Sequence, residues 1–193
     1  MKRFEVEING ISPLLQHKMP DEELQKLLGI KSEKIKSKEV CTPREIAQRH
    51  AYTDGKKYLL KLEYIRQAFK AASADYKMKS STRRSYKSVA PSVFRPVGEF
   101  TPLLDEQNKP CTSFEVDIQK ATNHRAGAVA VCRPRWDRWQ AKFQVQIDTD
   151  VLPEETALEI LESAGRHVGI GSYRIRCGGY YGAFEIRSFK QLK

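Results

Sequence analysis

Alternating hydrophobic and polar residues predict strands at both ends of the chain. Phe4, Val6 and Ile8 alternate with polar residues over positions 3–11, which is the period-two pattern of a half-buried strand. A last strand is predicted over residues 182–189. Four more short strands are predicted between these ends, over residues 89–97, 114–120, 126–133 and 142–148. The last two of these four are predicted to pair as a β-hairpin.

Two longer segments repeat hydrophobic residues at helical spacing. One stripe, which predicts a helix over residues 59–76, consists of Leu59, Leu62, Ile65, Phe69 and Ala72. A second helix is predicted over residues 153–168. Shorter helices are predicted over residues 20–28 and after Thr42, which can form a capping box with Glu45.

The order of these segments predicts an α+β fold. Without the segments that fit no core element, the order is β-α-β-β-α-β. This is the ferredoxin-like or RRM-like plan, an antiparallel sheet with both helices on one face, and its open face and loops are available to RNA. The length suits a single domain, 1–193. Its predicted core is 1–17, 59–76, 89–97 and 126–193, and the basic inserted segments are 18–58 and 77–125.

The charge balance predicts a polyanionic partner. The chain carries 34 Lys and Arg against 24 Asp and Glu, a formal net charge of +10. Nucleic acid is a commoner partner of such a chain than a membrane surface, and a basic protein without a specific anionic partner is the alternative. No apolar run approaches the ~18 residues that span a bilayer, and the N-terminus does not resemble a signal peptide. We therefore expect a cytoplasmic protein with no membrane partner.

The cysteines and the short motifs predict neither a metal nor a cofactor. Cys41, Cys111, Cys132 and Cys177 form no CxxC pair, so free thiols in a reducing compartment are expected. The sequence contains no Walker motif, no Rossmann fingerprint and no HExxH. A metal site and a bound cofactor are therefore not expected.

The segment between the second long helix and the last strand is dense in glycine, arginine and tyrosine. Glycines permit positive φ and a close approach of a ligand to the backbone. Arginines and exposed amides suit phosphates, and tyrosines can stack on unpaired bases. This glycine-rich loop, 169–182, predicts a site for single-stranded RNA or single-stranded DNA formed by Gly171, Tyr173, Arg174, Arg176, Gly178, Gly179 and Tyr180, with Tyr181 as a further stacking candidate. The alternative is a tight turn whose glycines serve only the chain geometry.

Two more basic segments are candidates for the same ligand. The first follows the helix over 59–76 and offers a groove for a nucleic-acid backbone, with Tyr76 and Tyr86 beside the basic residues Lys77, Lys79, Arg83, Arg84 and Lys87. The second combines phosphate-binding and stacking residues, namely Arg133, Arg135, Trp136 and Arg138. The alternatives are a solvated basic loop for the first, and a core position for Trp136 and Trp139 in the second.

Three features follow one another along the chain. They are the opening strand with Pro13-Leu14-Leu15 after it, the helix over 59–74, and the second helix with its glycine-rich loop and final strand. In this combination the chain resembles the RAMP superfamily of CRISPR-associated proteins, especially its effector-backbone subunits, over about half of its length. The resemblance implies a single RAMP-like domain, a ferredoxin-like palm with inserted segments. It also implies a subunit that polymerises head-to-tail with copies of itself along guide RNA, beside other CRISPR effector subunits.

The resemblance leaves two alternatives to a backbone subunit. Small stand-alone proteins of this type are carried by phages and mobile elements, which implies a mimic that interferes with assembly of a CRISPR complex. Other RAMP relatives cleave precursor guide RNA without a metal, which implies a histidine as acid or base. His17 is the candidate for that role, and no other catalytic residue is assigned. Asp21 and Asp54, considered for metal-assisted cleavage, have no carboxylate partner in the sequence. Non-catalytic binding is therefore the main expectation.

Overall fold

The computed structural model describes residues 1–29, 41–79, 81, 83–123 and 127–193. Over this range the chain is an α+β fold with two antiparallel sheets. The strands are β1 (Lys2–Gly10), β2 (Leu14–Leu15), β3 (Leu59–Lys61), β4 (Phe94–Pro96), β5 (Phe100–Leu104), β6 (Glu115–Asn123), β7 (Gly127–Trp136), β8 (Gln140–Ile147) and β9 (Phe184–Gln191). The α-helices are α1 (Asp21–Leu27), α2 (Pro43–Arg49), α3 (Leu62–Ala72), α4 (Ala90–Val93) and α5 (Glu154–Ser163).

The larger sheet has β8 at its centre and β1 beside it. Its strand order is β3-β5-β8-β1-β9, and β4 also pairs with β8. The alternation of β1 places Phe4, Val6 and Ile8 on the buried face, where they are fully or almost fully buried. Helices α3 and α5 pack on each other and cover this face, and the Phe69 ring of α3 stacks on Phe94 of β4 with 3.9 Å between centroids. Burial of this apolar face is the main stabilising term of the sheet.

The smaller sheet consists of β2, β7 and β6 in that order. Strands β6 and β7 form a long antiparallel hairpin, and β2 pairs with the far end of β7. Helix α2 packs against this hairpin. The predicted insertion 77–125 therefore contributes β5 to the larger sheet and β6 to this hairpin. Its predicted end at residue 125 and the predicted strand start at residue 126 lie outside the described residues.

Trp139, in the short connection from β7 to β8, joins the two sheets. Its side chain is buried, and its Nε1 donates a hydrogen bond to the Ser12 carbonyl at 2.9 Å. A Cβ at Gly10 would lie 2.3 Å from that nitrogen, so only glycine fits at the end of β1. The core position considered for Trp139 is thus confirmed.

The predicted hairpin of residues 126–133 and 142–148 is wrong. Strand β7 pairs with β6 and β2, whereas β8 pairs with β1, β4 and β5, so the two strands belong to different sheets. The alternation identified each strand but not its partner, because β7 has one strand before it and one after it along the chain, and the packing of the whole fold decides which of them pairs with it.

Two predicted boundaries also differ from the structure. The helix predicted over 59–76 begins only at Leu62, because residues 59–61 are strand β3, which pairs with β5. Leu60 is fully buried there, so tertiary pairing overrides the local helical period. The strand predicted over 89–97 contains β4 but starts with α4, where Pro91 suits the first helical turn.

The predictions for helix 20–28, for the end of the second long helix and for the capping box are confirmed. Helix α1 lies within 20–28, and α5 continues through a π-helical turn, Ala164–Val168, to the predicted end at residue 168. The capping box of α2 is present, with the Thr42 side chain accepting from Glu45 N and the Glu45 carboxylate accepting from Thr42 N. Within the described ranges, every helix is too short or too polar to cross a membrane.

Candidate nucleic-acid interface

The glycine-rich loop is attached to β2 by its own backbone. The amides of Ser172 and Gly182 donate to the carbonyls of Leu15 and Pro13, both at 2.8 Å. Gly171 has φ +78°, and a Cβ there would lie 2.3 Å from the Leu15 oxygen. These contacts place the loop across the end of the smaller sheet.

The glycines of the loop therefore serve mainly the chain geometry. A Cβ at Gly179 would lie 1.7 Å from the Tyr173 oxygen, and one at Gly182 would lie 1.8 Å from the Ile170 oxygen. The space beside Gly171 and Gly179, predicted for a ligand, is thus filled by the chain itself. Gly178 differs, since it is exposed with φ +80° and open space around its Cα.

Two tyrosines of the loop present exposed rings. Tyr173 is 50% exposed and Tyr180 is 62% exposed. The Tyr180 ring stacks on Tyr181 with 4.2 Å between centroids, and Tyr181 itself is buried. The stacking role considered for Tyr181 is therefore wrong, whereas Tyr173 and Tyr180 keep free surface for a base.

The arginines of the loop lie on the side that faces α3. Arg174 Nη1 donates to the Gly171 carbonyl at 3.3 Å, and Arg176 Nη1 donates to Ala71 at the end of α3 at 3.1 Å. Between this side of the loop and α3 is an open cavity of about 470 Å³. Its lining includes four basic side chains and two further polar ones, namely Lys70, Lys87, Arg174, Arg176, Glu63 and Tyr64.

The cavity also contains a tyrosine that stays protonated. Burial, followed by the neighbouring Tyr52, raises the pKa of Tyr64 far above its usual value. Tyr64 therefore offers a neutral hydroxyl beside the cationic side chains. Sequence analysis missed Tyr64, Glu63 and Lys70, because they occupy the polar positions of α3, and only the tertiary structure directs them toward the loop.

The basic segment after α3 contributes one residue to this cavity. Lys77, Lys79, Arg83, Arg84 and Lys87 are all exposed, and Lys87 is the member that lines the cavity. Tyr86 is almost fully buried, and Tyr76 is partly buried against the core with its hydroxyl donating to the Glu159 carbonyl, so neither ring lies free beside the basic residues as predicted. The segment is therefore an exposed basic surface beside the loop.

The arginine–tryptophan segment at the end of β7 is mostly engaged within the protein. Trp136 is 5% exposed and its Nε1 donates to the Ser113 carbonyl, so its predicted stacking role is replaced by a core position. Arg135 forms an ion pair with Asp137, and Arg138 forms one with Glu106 at 2.8 Å. Both ion pairs reach solvent, so these arginines remain accessible to a competing phosphate.

Arg133, predicted as an exposed phosphate ligand, is buried instead. It is 7% exposed and lies beneath the Tyr173 ring, with 5.4 Å from its Cζ to the ring centroid. Directly opposite on β6 is Asp117, also 7% exposed, with Nη1 and Oδ2 3.9 Å apart. Asp117 and Arg133 lie in the two strands predicted over 114–120 and 126–133, but these segments were not recognised as partners.

His17 follows β2 at the edge of the same surface. Its ring stacks on His50 with 4.3 Å between centroids, and His50 Nδ1 lies 2.8 Å from the Lys18 carbonyl oxygen. Partial burial, then His50, then Arg133 lower the pKa of His17, so its imidazole is neutral at pH 7. A neutral imidazole can accept a proton, which is what a general base requires.

The carboxylates considered for metal-assisted cleavage have other partners. Asp21 pairs with Lys18 at 3.1 Å, and Asp54 accepts hydrogen bonds from the amides of Lys56 and Lys57 in a turn. Among the residues that the structure describes, no three His, Cys, Asp or Glu side chains converge as a metal site.

The solvent-facing side of the larger sheet is charged. Lys142 of β8 lies between Glu5 and Glu7 of β1, at 2.8 and 3.0 Å. Hydrogen bonding to Lys142 lowers the pKa of Glu7, so this surface keeps its carboxylates at neutral pH. An RRM-like face would instead offer aromatic rings for stacking. The glycine-rich loop and its neighbours are therefore the better candidate interface.

No known family model matches the chain, and no curated protein matches it either.

Proposed function

We propose that this protein binds single-stranded RNA across its glycine-rich loop, as a backbone-type subunit of a CRISPR-like effector. The observation that carries the proposal is a single loop that presents exposed rings on its β7 side and borders a basic cavity on its α3 side. Tyr173 and Tyr180 supply the rings, and Arg174, Arg176 and Lys87 supply the cations. Stacking with phosphate neutralisation binds single strands with little dependence on sequence.

The topology supports the RAMP-like part of the proposal. Strands β9, β1, β8 and β4 follow one another in an antiparallel sheet, α3 connects β1 to β4, and α5 connects β8 to β9. This order supports the proposal of a ferredoxin-like palm, with the β6–β7 hairpin as an elaboration of it. The four cysteines carry free thiols, which suits a protein of the reducing cytoplasm.

Head-to-tail assembly along guide RNA is the second part of the proposal. A heterologous contact that does not close gives an open array, whose length follows the strand that it covers. The test is to mix the purified, RNase-treated protein with oligouridylates of 10, 20, 40 and 60 nucleotides. Size-exclusion chromatography with light scattering would then measure the number of copies on each RNA.

The expected result is a number of bound copies that rises with RNA length, at an affinity that falls with salt. The matching deoxyoligonucleotides report whether single-stranded DNA is accepted equally. Protein that stays monomeric and free of RNA at low salt contradicts the proposal. It would favour the mimic, which acts by binding a subunit of the host complex.

A second candidate, a metal-independent endoribonuclease, is favoured by the state of His17. Its neutral imidazole lies at the edge of the proposed interface, near Arg133. This candidate predicts a discrete cut of a hairpin RNA in the presence of EDTA, lost in His17→Ala and retained in Arg95→Ala on β4. Uncut RNA after prolonged incubation with the wild-type protein contradicts it.

A further inference from the structure

The buried pair of Arg133 and Asp117 is incompletely satisfied. Arg133 Nε and Nη1 and Asp117 Oδ2 are all buried without a hydrogen-bond partner. The 3.9 Å between Nη1 and Oδ2 brings the charges together but is too long for a hydrogen bond. Buried polar atoms of this kind normally have partners, and a buried ion pair stabilises only when hydrogen bonds complete it.

The two partners differ in how they are held. Asp117 Oδ1 accepts from Gln119 Nε2 at 3.1 Å and lies 3.4 Å from the Tyr181 hydroxyl, which in turn accepts from Tyr180. Asp117 is thus anchored by a network of neutral groups. Arg133 keeps two unused donors in a site shielded from water, where a charge-assisted hydrogen bond to an anion is strongest.

The Tyr173 side chain covers one face of the Arg133 guanidinium. The Tyr173 ring lies over the guanidinium, and its other side is open to solvent. The Tyr173 backbone has φ +54°, and its carbonyl lies close against Gly179. A rotation of the half-exposed Tyr173 side chain, with the loop backbone in place, would lift the ring off this face of the guanidinium.

We infer that Arg133 is a masked phosphate site and that Tyr173 is its cover. The Tyr173 ring turns outward to stack on an unpaired base, and the phosphodiester beside that base accepts hydrogen bonds from Arg133 Nε and Nη1. This inference rests on the proposed function for the source of the phosphate, a single-stranded nucleic acid. It adds a ligand residue to the tyrosine side of the loop, distinct from Arg174 and Arg176.

The main experiment observes the Arg133 guanidinium in the wild-type protein. Arginine Nε–H signals are recorded by ¹⁵N–¹H NMR, and the Arg133 signal is identified by its absence in Arg133→Lys, which keeps a cation beside Asp117. Oligouridylate and pyrophosphate are then added in separate titrations. The expected result is a downfield shift of the Arg133 proton at saturation with either probe, because the donor gains an anionic acceptor.

Two matched variants test the cover. Tyr173→Ala should tighten pyrophosphate binding several-fold, because the guanidinium is uncovered, yet weaken oligouridylate binding, because a stacking ring is lost. Tyr180→Ala, which removes the other exposed ring, should leave pyrophosphate binding unchanged. Arg133→Lys should weaken oligouridylate binding about tenfold.

The outcomes separate this inference from the proposed function. Oligouridylate that binds without shifting the Arg133 signal overturns the masked site and leaves the proposed function standing. A shift with pyrophosphate in a protein that binds no oligonucleotide supports the anion site and contradicts the proposed function. An Arg133 signal that responds to neither probe overturns the masked site.

Discussion

The two sides of the glycine-rich loop use the same kind of residue in opposite ways. On the side of α3, Arg174 and Arg176 are partly or fully exposed, and each donates to a backbone carbonyl. On the side of β7, Arg133 is buried beside Asp117 and beneath Tyr173. The first side offers charge that is already solvated, and the second holds a charge removed from water.

This difference predicts that the α3-side arginines control binding and that Arg133 controls stability. Solvated arginines attract a polyanion over a distance, their effect is screened by salt, and their loss hardly changes the folded state. A desolvated arginine with its carboxylate partner affects the folding free energy strongly, because removing either group leaves the other charge buried without a counterion. The comparison can therefore be tested by removing charges from each side in turn.

The largest effect is expected from breaking the buried pair. Asp117→Ala leaves the Arg133 charge buried without a counterion, so the free energy of unfolding should fall by about 3–5 kcal/mol. Replacing both residues with apolar ones of similar size, Asp117→Leu with Arg133→Met, should restore most of that loss. Urea denaturation of both variants provides the measurement. A loss below about 1 kcal/mol in Asp117→Ala would mean that the pair behaves like a surface one.

The fold was predictable from sequence where a pattern is local. The alternation of β1 and the helical stripe of α3 predicted both elements, because the period reports which face is buried. The pairing of β7 with β6 was not predictable in the same way. It depends on contacts between separate segments, and either neighbour of β7 along the chain was a reasonable partner.

The second-largest effect is a loss of stability at two loop glycines, of which Gly171 packs against β2 and Gly178 faces open space. Gly171→Ala meets both a positive φ and the Leu15 carbonyl, so it should destabilise by about 2–4 kcal/mol. Gly178→Ala has the same sign of φ but open space, so the loss should be about 1 kcal/mol. Thermal or urea unfolding compares the two. Equal losses would contradict the attachment of the loop to β2.

The candidate site was predictable in its composition but not in its arrangement. The sequence named Tyr173, Tyr180 and the loop arginines, because their residue types suit bases and phosphates. It could not separate Gly171, which fits against β2, from Gly178, which faces solvent. It also favoured binding roles for Arg133 and Trp136, because Arg133 is covered only when the loop docks and Trp136 is buried only by packing on Tyr58 and Phe114.

The third effect is a loss of binding without a loss of stability. Replacing Arg174 and Arg176 together with alanine should weaken RNA binding about tenfold at low salt. The slope of log affinity against log salt should become shallower by about 1.4, which is two phosphate contacts on a single strand. The stability should change by less than about 0.5 kcal/mol. Fluorescence anisotropy over a salt series provides the measurement.

The control for this variant removes equal charge elsewhere. Arg187→Ala with Lys190→Ala takes two exposed cations from β9, away from the loop. If that variant loses affinity and slope equally, the binding reflects net charge alone, and the α3 side of the loop has no special role.

The smallest effect is a pH dependence of the free energy of unfolding, which arises from His17 on the β7 side of the loop. Because the pKa of His17 is lowered in the folded protein, the unfolded chain binds a proton more readily as pH falls below about 6.5. Stability should therefore decrease slightly through that range until pH passes below the folded pKa of His17, and His17→Gln should remove this part of the pH dependence.

An NMR titration of the His17 ring tests the cause of the lowered pKa. Since burial outweighs the His50 charge, His50→Gln should raise the pKa of His17 only in part. A complete return to the ordinary value would show that the stacked ring, and not burial near Arg133, controls this histidine.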